Sequence, residues 1–176
     1  MLISFKDYPE FTPNLTPRQI FEYGSFGGAY FRDLENPNHS GTSALINLPP
    51  DLWQGIDKEL MLSSVANKQL NKYKVHAGTS LEDWRNKDWI KEELDPYGWV
   101  QWYCHFYYGR RTADDNRLIK RWLQFARPNG RWKNRLIKSC YKNKAYNDYT
   151  ISPVIRQSLQ HWAYELTEED YKNGIK

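Results

Sequence analysis

Lysine and arginine residues are concentrated in one segment of the chain, residues 110–144. This segment contains twelve basic and two acidic residues (+10), whereas the remainder contains thirteen basic and nineteen acidic residues (−6), which together give the net charge of +4. A local excess of positive charge inside an otherwise acidic chain is typical of proteins that bind phosphate-bearing partners. The segment is therefore the first candidate for a functional surface.

Helical spacing would bring these cations together on two neighbouring helices, predicted over residues 113–126 and 131–141. Residues three or four apart are neighbours on a helix surface, and the candidates selected on this basis are Arg117, Lys120, Arg121, Gln124, Arg131, Arg135 and Lys138. Two adjacent basic helices could hold a phosphate backbone. Alternatively, the residues are the solvated faces that any amphipathic hairpin needs, which would explain their charge but not its uniform sign.

The stretch DPYGWVQWYCHFYYGRR, residues 95–111, combines aromatic residues with an arginine pair. Its i, i+3, i+4, i+7 spacing predicts that a core-facing helical stripe is formed by Trp99, Trp102, Tyr103 and Phe106. The remaining polar and aromatic candidates are Tyr97, Gln101, Tyr107, Tyr108, Arg110 and Arg111. Exposed rings beside cations stack on single-stranded or flipped bases, so we interpret these residues as base or ligand contacts.

Three aspartates near the arginine pair are candidate catalytic groups: Asp95, Asp114 and Asp115. One interpretation is helix-end electrostatics, in which Asp114 and Asp115 favour the N-terminal dipole of their helix and one of them pairs with Arg110 or Arg111. The other interpretation is a general base or water-positioning carboxylate, with an arginine holding an anion.

The glycine-rich phrase GSFGGAYFR, residues 24–32, does not match a dinucleotide or kinase glycine loop. It is either a tight turn or the lining of a ligand pocket into which Tyr30 and Arg32 reach. The four histidines and two cysteines lack the short spacings of zinc ligands. The sequence therefore indicates no metal and no cofactor.

The fold class that these patterns predict is mainly α, with α+β as the alternative, in a single domain over residues 1–176. The C-terminal half should be helical, with a helix that begins at Asp95-Pro96, the two basic helices, and a helix after Ser152-Pro153. The N-terminal half should be irregular and partly extended. It should have short helices at 17–23 and 81–90 and a strand or extended segment at 70–78.

Composition and the N-terminal sequence predict where in the cell the protein is found. No apolar run is long enough to span a membrane, and Lys6 and Asp7 interrupt the place where a signal peptide needs its apolar centre. Two cysteines are too few for a disulfide framework. These features predict a cytoplasmic protein that does not enter a membrane, and they leave its oligomeric state open.

The segment DPYGWVQWYCHFYYGRRTADDNRLIKRW resembles the signature of an uncharacterised family of small proteins from phages, large DNA viruses, algae and fungi. The matching residues are 95–99, 101–104, 109–111, 114–115 and 121–122, and the phrases at 24–32, 71–84, 130–137 and 151–162 are also similar. The resemblance implies no particular reaction. The viral occurrence favours a role with nucleic acid or with a host protein.

We therefore expect a nucleic-acid-binding protein that works in DNA or RNA processing. Its basic helices would contact the phosphate backbone, and its aromatic side chains would contact bases. One alternative is an enzyme acting on a nucleotide or nucleic-acid base, like a glycosylase or a nuclease, in which Gln101 and Tyr30 read the substrate. Another is a non-catalytic module that binds a small anionic ligand or a host protein.

Overall fold

The computed structural model describes residues 2–36, 38–143 and 145–174. Its helices are α1 (Pro17–Glu22), α2 (Gly41–Ile46), α3 (Pro50–Trp53), α4 (Leu81–Asn86), α5 (Trp99–Tyr107), α6 (Asp115–Ala126), α7 (Arg131–Asn143), α8 (Pro153–His161) and α9 (Glu168–Gly174). These ranges contain no β-strand and fold as one unit, which confirms the mainly α prediction and rules out the α+β alternative. No helix in them is both long enough and apolar enough to cross a membrane.

Helix α5 lies at the centre of the core. Trp99, Trp102, Tyr103 and Phe106 are all at most 3% exposed, as their spacing predicts. Phe11, from the N-terminal segment, packs against each of these four rings at centroid distances of 5.6 to 6.3 Å. Because each large aromatic side chain buries about 150–250 Å², this cluster supplies much of the apolar contact.

The start of α5 differs from the prediction. The helix begins at Trp99 after Gly98, whose φ of +86° favours glycine. Asp95 does not cap it. Instead the Asp95 carbonyl accepts a hydrogen bond from the Gly98 N–H at 2.8 Å, which closes a turn before the helix. The predicted end of the helix is confirmed, since Gly109 follows it with a φ of +97°.

Helices α6 and α7 form the predicted hairpin, with a turn at residues 127–130. The Trp122 indole of α6 donates to the Trp162 carbonyl at the end of α8. On the other side of α7, the buried Lys133 ammonium pairs with Asp170 of α9 at 2.6 Å. These contacts join the helices of the C-terminal half.

The N-terminal half contains turns and short helices where extended structure was predicted. Residues 70–78 form turns and bends, so the strand prediction is wrong. Helices α2 and α3 lie in the half of the chain predicted to be irregular. The short helix predicted at 17–23 is present as α1, and the side chains of Thr16 and Gln19 form a capping box at its start. The glycine-rich phrase forms a left-handed turn, and a Cβ atom at Gly24 would lie 2.1 Å from the Leu70 carbonyl oxygen.

Two segments far apart in the sequence meet beside this core. The backbone N–H groups of Asn14 and Leu15 both donate to the Ala163 carbonyl, at 3.0 and 3.1 Å. The Asn14 side chain also exchanges two hydrogen bonds of 2.8 Å with the Glu165 backbone. The N-terminal segment is thus fixed to the residues that follow α8.

Candidate nucleic-acid interface

Tyr30, Tyr97 and Gln101 form a buried hydrogen-bonded group. The Tyr30 hydroxyl donates to the Tyr97 carbonyl at 2.6 Å and accepts from the Gln101 N–H at 2.8 Å. The Gln101 side-chain oxygen accepts from the Tyr97 N–H at 2.9 Å. Burial raises the pKa of the Tyr30 hydroxyl and raises that of Tyr97 to about 12. The expectation of an exposed Tyr97 ring is wrong, since that residue is only 3% exposed.

Arg32 lies next to this group and does not reach into a pocket with Tyr30. Its guanidinium donates to the Ala29 carbonyl at 3.2 Å, and its own carbonyl accepts from the Tyr97 hydroxyl at 2.9 Å. These hydrogen bonds fix the end of the glycine-rich turn against the residues before α5. Any ligand contact by Arg32 stays a prediction.

The two tyrosines at the end of α5 are more accessible. The half-buried Tyr107 ring packs against Tyr103 and Tyr108, with centroid distances of 6.1 and 5.3 Å. Tyr108 is exposed, and its hydroxyl donates to Asp51 at 3.1 Å. Burial and this carboxylate raise the Tyr108 pKa to about 12. Of the three tyrosines predicted to stack, Tyr108 keeps the most open ring.

The adjacent arginines point to different partners. Arg110 pairs with the buried carboxylate of Asp95, and Arg111 pairs with Asp7 through two hydrogen bonds of 2.6 and 3.1 Å. The Arg111 guanidinium also lies 3.8 Å from the Phe106 ring centroid. The interpretation that one of these arginines pairs with Asp114 or Asp115 is therefore wrong. Both arginines already have a carboxylate partner.

Asp114 and Asp115 have separate structural contacts. Asp114 pairs with Arg117 at 2.6 and 2.7 Å. Asp115 is 1% exposed and accepts hydrogen bonds from the Trp102 indole at 2.8 Å and from the N–H and hydroxyl of Thr112, both at 2.9 Å. These contacts fix the first turn of α6. The catalytic role proposed for the two aspartates stays a prediction.

Asp95 is the candidate carboxylate with a free acceptor atom. Its Oδ1 atom is buried, has no hydrogen-bond partner and lies 3.9 Å from the His105 Nε2 atom. Burial raises the Asp95 pKa even though Arg110 opposes the shift. Asp95 and Asp114 line one small recess together with Trp89 and Arg117. Within the predicted catalytic set, Asp95 and Asp114 thus line the same recess, and Asp115 is not among its lining residues.

The predicted basic hairpin carries cations that no carboxylate neutralises. Within residues 2–36, 38–143 and 145–174, no carboxylate lies within 4 Å of six of them, which we call the cationic face: Lys120, Arg121, Arg127, Arg131, Arg135 and Lys138. All of them except the half-buried Arg121 are exposed. Lys120 and Arg127 border one open depression with Gln124. Arg117 differs from this set because it pairs with Asp114 and donates to the Trp89 carbonyl at 3.2 Å.

Three arginines of the cationic face lie against indole rings. The Arg121 guanidinium is 3.4 Å from the Trp89 ring centroid and 5.1 Å from that of Trp84. Those of Arg131 and Arg135 lie 5.2 and 5.8 Å from the centroid of Trp132. Such contacts hold a guanidinium without removing its charge. Burial, together with the nearby Arg117, lowers the pKa of Arg121.

A continuous series of rings connects these arginines. We call it the aromatic row, and its order is Trp89, Trp84, Trp162, Phe125, Trp132. Successive centroids are 5.4, 5.8, 4.7 and 6.4 Å apart, and the last three pairs are stacked. Trp162 is buried, and the other four rings are half-buried. The row links Arg121 of α6 to Arg131 and Arg135 of α7 across the hairpin.

Helical spacing in the sequence predicted neither the aromatic row nor Arg127 as part of the site. One available signal was the spacing of Trp132 and Arg135, because residues three positions apart are neighbours on a helix surface. The contact of Trp89 with Arg121 had no such signal, since it joins two distant elements.

Metal ligation finds no support in the arrangement of side chains. In the part of the chain that the structure describes, no three His, Cys, Asp or Glu side chains are placed so that they could hold a metal ion. Cys104 and Cys140 are both buried and unpaired by disulfide.

No protein-family model, no curated protein and no solved structure matches this chain. The resemblance to the viral, algal and fungal family therefore rests on the quoted motifs, and what it implies stays an expectation.

Proposed function

We propose that the protein binds nucleic acid through the cationic face of α6 and α7. The observation that carries this proposal is the set of arginines held by indole rings instead of by carboxylates. A guanidinium fixed in this way keeps its full charge for a phosphate oxygen. It also loses less conformational entropy on binding than a free side chain does.

The rest of the chain argues against an ordinary solvated helix face. On two other surface helices the cations have carboxylate partners four residues away, Arg18–Glu22 on α1 and Lys172–Glu168 on α9. On α6 and α7 the only acidic residue is Asp115, which is buried. Mutual repulsion among unpaired cations opposes folding, and a polyanionic partner would relieve it.

Base contacts in this proposal come from the ends of the aromatic row. Trp89 and Trp132 are half-buried and lie beside the arginines that would bind phosphates. Base–aromatic stacking contributes about 1–3 kcal/mol per base and is largely independent of sequence. We therefore propose little sequence preference, as suits a protein that processes DNA or RNA. Tyr108 is a further candidate ring.

The test is binding to random-sequence oligonucleotides as a function of salt concentration. Six phosphate contacts would give a slope of log K against log salt of about −4 for a single strand and about −5 for duplex DNA. Absence of binding at low salt, or a slope close to zero, would rule out the proposal.

A further inference from the structure

The Lys72 side chain ends inside a cluster of aromatic rings. Its Nζ atom lies 4.2 Å from the centroid of Tyr23 and 5.8 Å from those of Tyr73 and Tyr149. The same atom donates to a Glu165 carboxylate oxygen at 2.6 Å. Three rings and one carboxylate around an ammonium are the arrangement with which proteins recognise methylated ammonium groups.

The carboxylate of this cluster is positioned independently of Lys72. The Glu165 oxygen that contacts Lys72 also accepts from the Tyr73 hydroxyl at 3.2 Å and lies 3.5 Å from the Gln160 side-chain nitrogen. Gln160 is fully buried, and the backbone N–H of Glu165 is bonded to Asn14. Removal of the Lys72 side chain would therefore leave the Glu165 carboxylate in place.

The rings are also held by other residues. The Tyr73 N–H donates to the fully buried Gln157 at 3.2 Å. The Tyr149 and Tyr73 rings meet edge to face with their centroids 5.5 Å apart. The Arg156 guanidinium lies 5.5 Å from the Tyr149 ring centroid. Tyr149 is 55% exposed and forms the solvent-facing wall. The cluster therefore borders solvent on the side of Tyr149.

We infer that Tyr23, Tyr73, Tyr149 and Glu165 form a binding cage for a methylated ammonium group, and that Lys72 fills this cage as an internal competitor. A quaternary ammonium has no N–H group that requires a hydrogen-bond acceptor, so aromatic rings and one carboxylate are sufficient to bind it. The Lys72 ammonium is more strongly hydrated and sits on a flexible four-carbon stem. Its side chain is 23% exposed and can swing into water.

Competition by Lys72 sets the expected affinities. The apparent association constant of a ligand equals its intrinsic value multiplied by the fraction of molecules whose cage is empty. If Lys72 fills the cage about nine-tenths of the time, K72A should bind tetramethylammonium about tenfold more tightly than the intact chain does. K74A is the matched control, because Lys74 is an exposed lysine two residues away whose ammonium bonds to the Gln69 carbonyl, outside the cage.

The decisive experiment titrates K72A with tetramethylammonium chloride and follows the tyrosine ring signals by NMR, with sodium chloride as the ionic-strength control. We expect saturable binding that weakens at least tenfold in K72A/Y23L and in K72A/E165Q. Choline and Nε-trimethyllysine, tested in parallel, distinguish a lipid-type head group from a modified protein as the source. No saturable binding by K72A, or equal binding by K72A/Y23L, would overturn the inference.

A second measurement uses the intact chain and does not depend on the folding of any variant. Amine acylation, read by mass spectrometry, should modify Lys72 more slowly than Lys74, and saturating tetramethylammonium should accelerate modification of Lys72 alone. An unchanged Lys72 rate at saturation would also overturn the inference. The cage shares no residue with the cationic face, so loss of one proposal leaves the other standing.

Discussion

The Arg121 guanidinium lies 3.4 Å from the centroid of the Trp89 ring, and no carboxylate of the described residues lies within 4 Å of it. Burial, together with Arg117 one turn earlier on α6, lowers the pKa of Arg121. The indole ring is thus the main group that stabilises this cation. The same relationship recurs at the other end of the aromatic row with Trp132.

Arg121 and Trp89 should show a coupling energy in a double-mutant cycle. We expect R121A and W89L to be less destabilising together than the sum of their single effects by about 0.5–2 kcal/mol, the range of cation–π contacts. The unfolding free energies of the four proteins in urea give this coupling energy. The parallel cycle of R127A with W89L should give no coupling, since Arg127 does not contact that ring. Equal coupling in both cycles would show that the contact contributes nothing specific.

R131A/R135A should weaken oligonucleotide binding and reduce its salt dependence. Loss of two phosphate contacts makes the slope of log K against log salt less negative by about 1.4 for a single strand. The matched control is R18A/K172A, which removes the same charge from two cations that have glutamate partners. If both double variants change the slope equally, binding follows net charge and not the cationic face.

His161 should make the protein less stable in acid. Its ring is buried and accepts from the Phe26 N–H at 3.2 Å, and burial lowers its pKa to about 3. An unfolded chain takes up this proton near pH 6.5. The contribution of His161 to stability is therefore complete above pH 6.5 and is lost as the pH falls toward 3, by about 1.4 kcal/mol per pH unit.

The measurement is urea unfolding of the intact chain and of H161Q between pH 4 and 8. His105, whose pKa is lowered to about 4 by burial and by Arg110, contributes its own acid dependence to both proteins. The difference between them isolates His161. A difference in unfolding free energy that does not vary with pH would contradict the prediction.

G24A and G55A should differ in their effect on stability, although both glycines have positive φ angles of 65° and 83°. Each substitution incurs the left-handed penalty of about 1–2 kcal/mol. At Gly55 a Cβ would meet nothing within 4 Å, whereas at Gly24 it would overlap the Leu70 carbonyl oxygen. G24A should therefore be clearly more destabilising in thermal unfolding. Equal losses of stability in the two variants would show that the turn at Gly24 can move away from Leu70 at no cost.

Sequence periodicity predicted the helical half because each helix there has one continuous apolar stripe. Trp99, Trp102, Tyr103 and Phe106 identified α5, and the boundaries of α7 differ from the prediction by two residues. The N-terminal half has no such stripe. Its order comes from side chains that bond to a distant backbone, such as Asn71 to the Gly27 N–H at 2.8 Å, and local sequence does not encode these pairings.

The candidate site was predicted only in part, again because local sequence does not encode contacts between distant residues. The location of the cations follows from helical spacing, and the structure keeps most of them exposed. Exposure of a ring instead depends on tertiary partners: the Tyr97 hydroxyl bonds to the Arg32 carbonyl, 65 residues away in sequence. Helix spacing alone could not separate Tyr97 from Tyr108.

The hydrogen bonds from Asn14 and Leu15 to Ala163 affect how a cell can make this protein. Asn14 and Leu15 are translated long before Ala163, so their backbone N–H groups lack this acceptor while the residues between them are made. Phe11 likewise lacks the rings that cover it until α5 and α6 have been made, so it presents an apolar surface to chaperones during that interval. A chain truncated before Ala163 lacks the acceptor for both N–H groups, and we expect proteases to remove it.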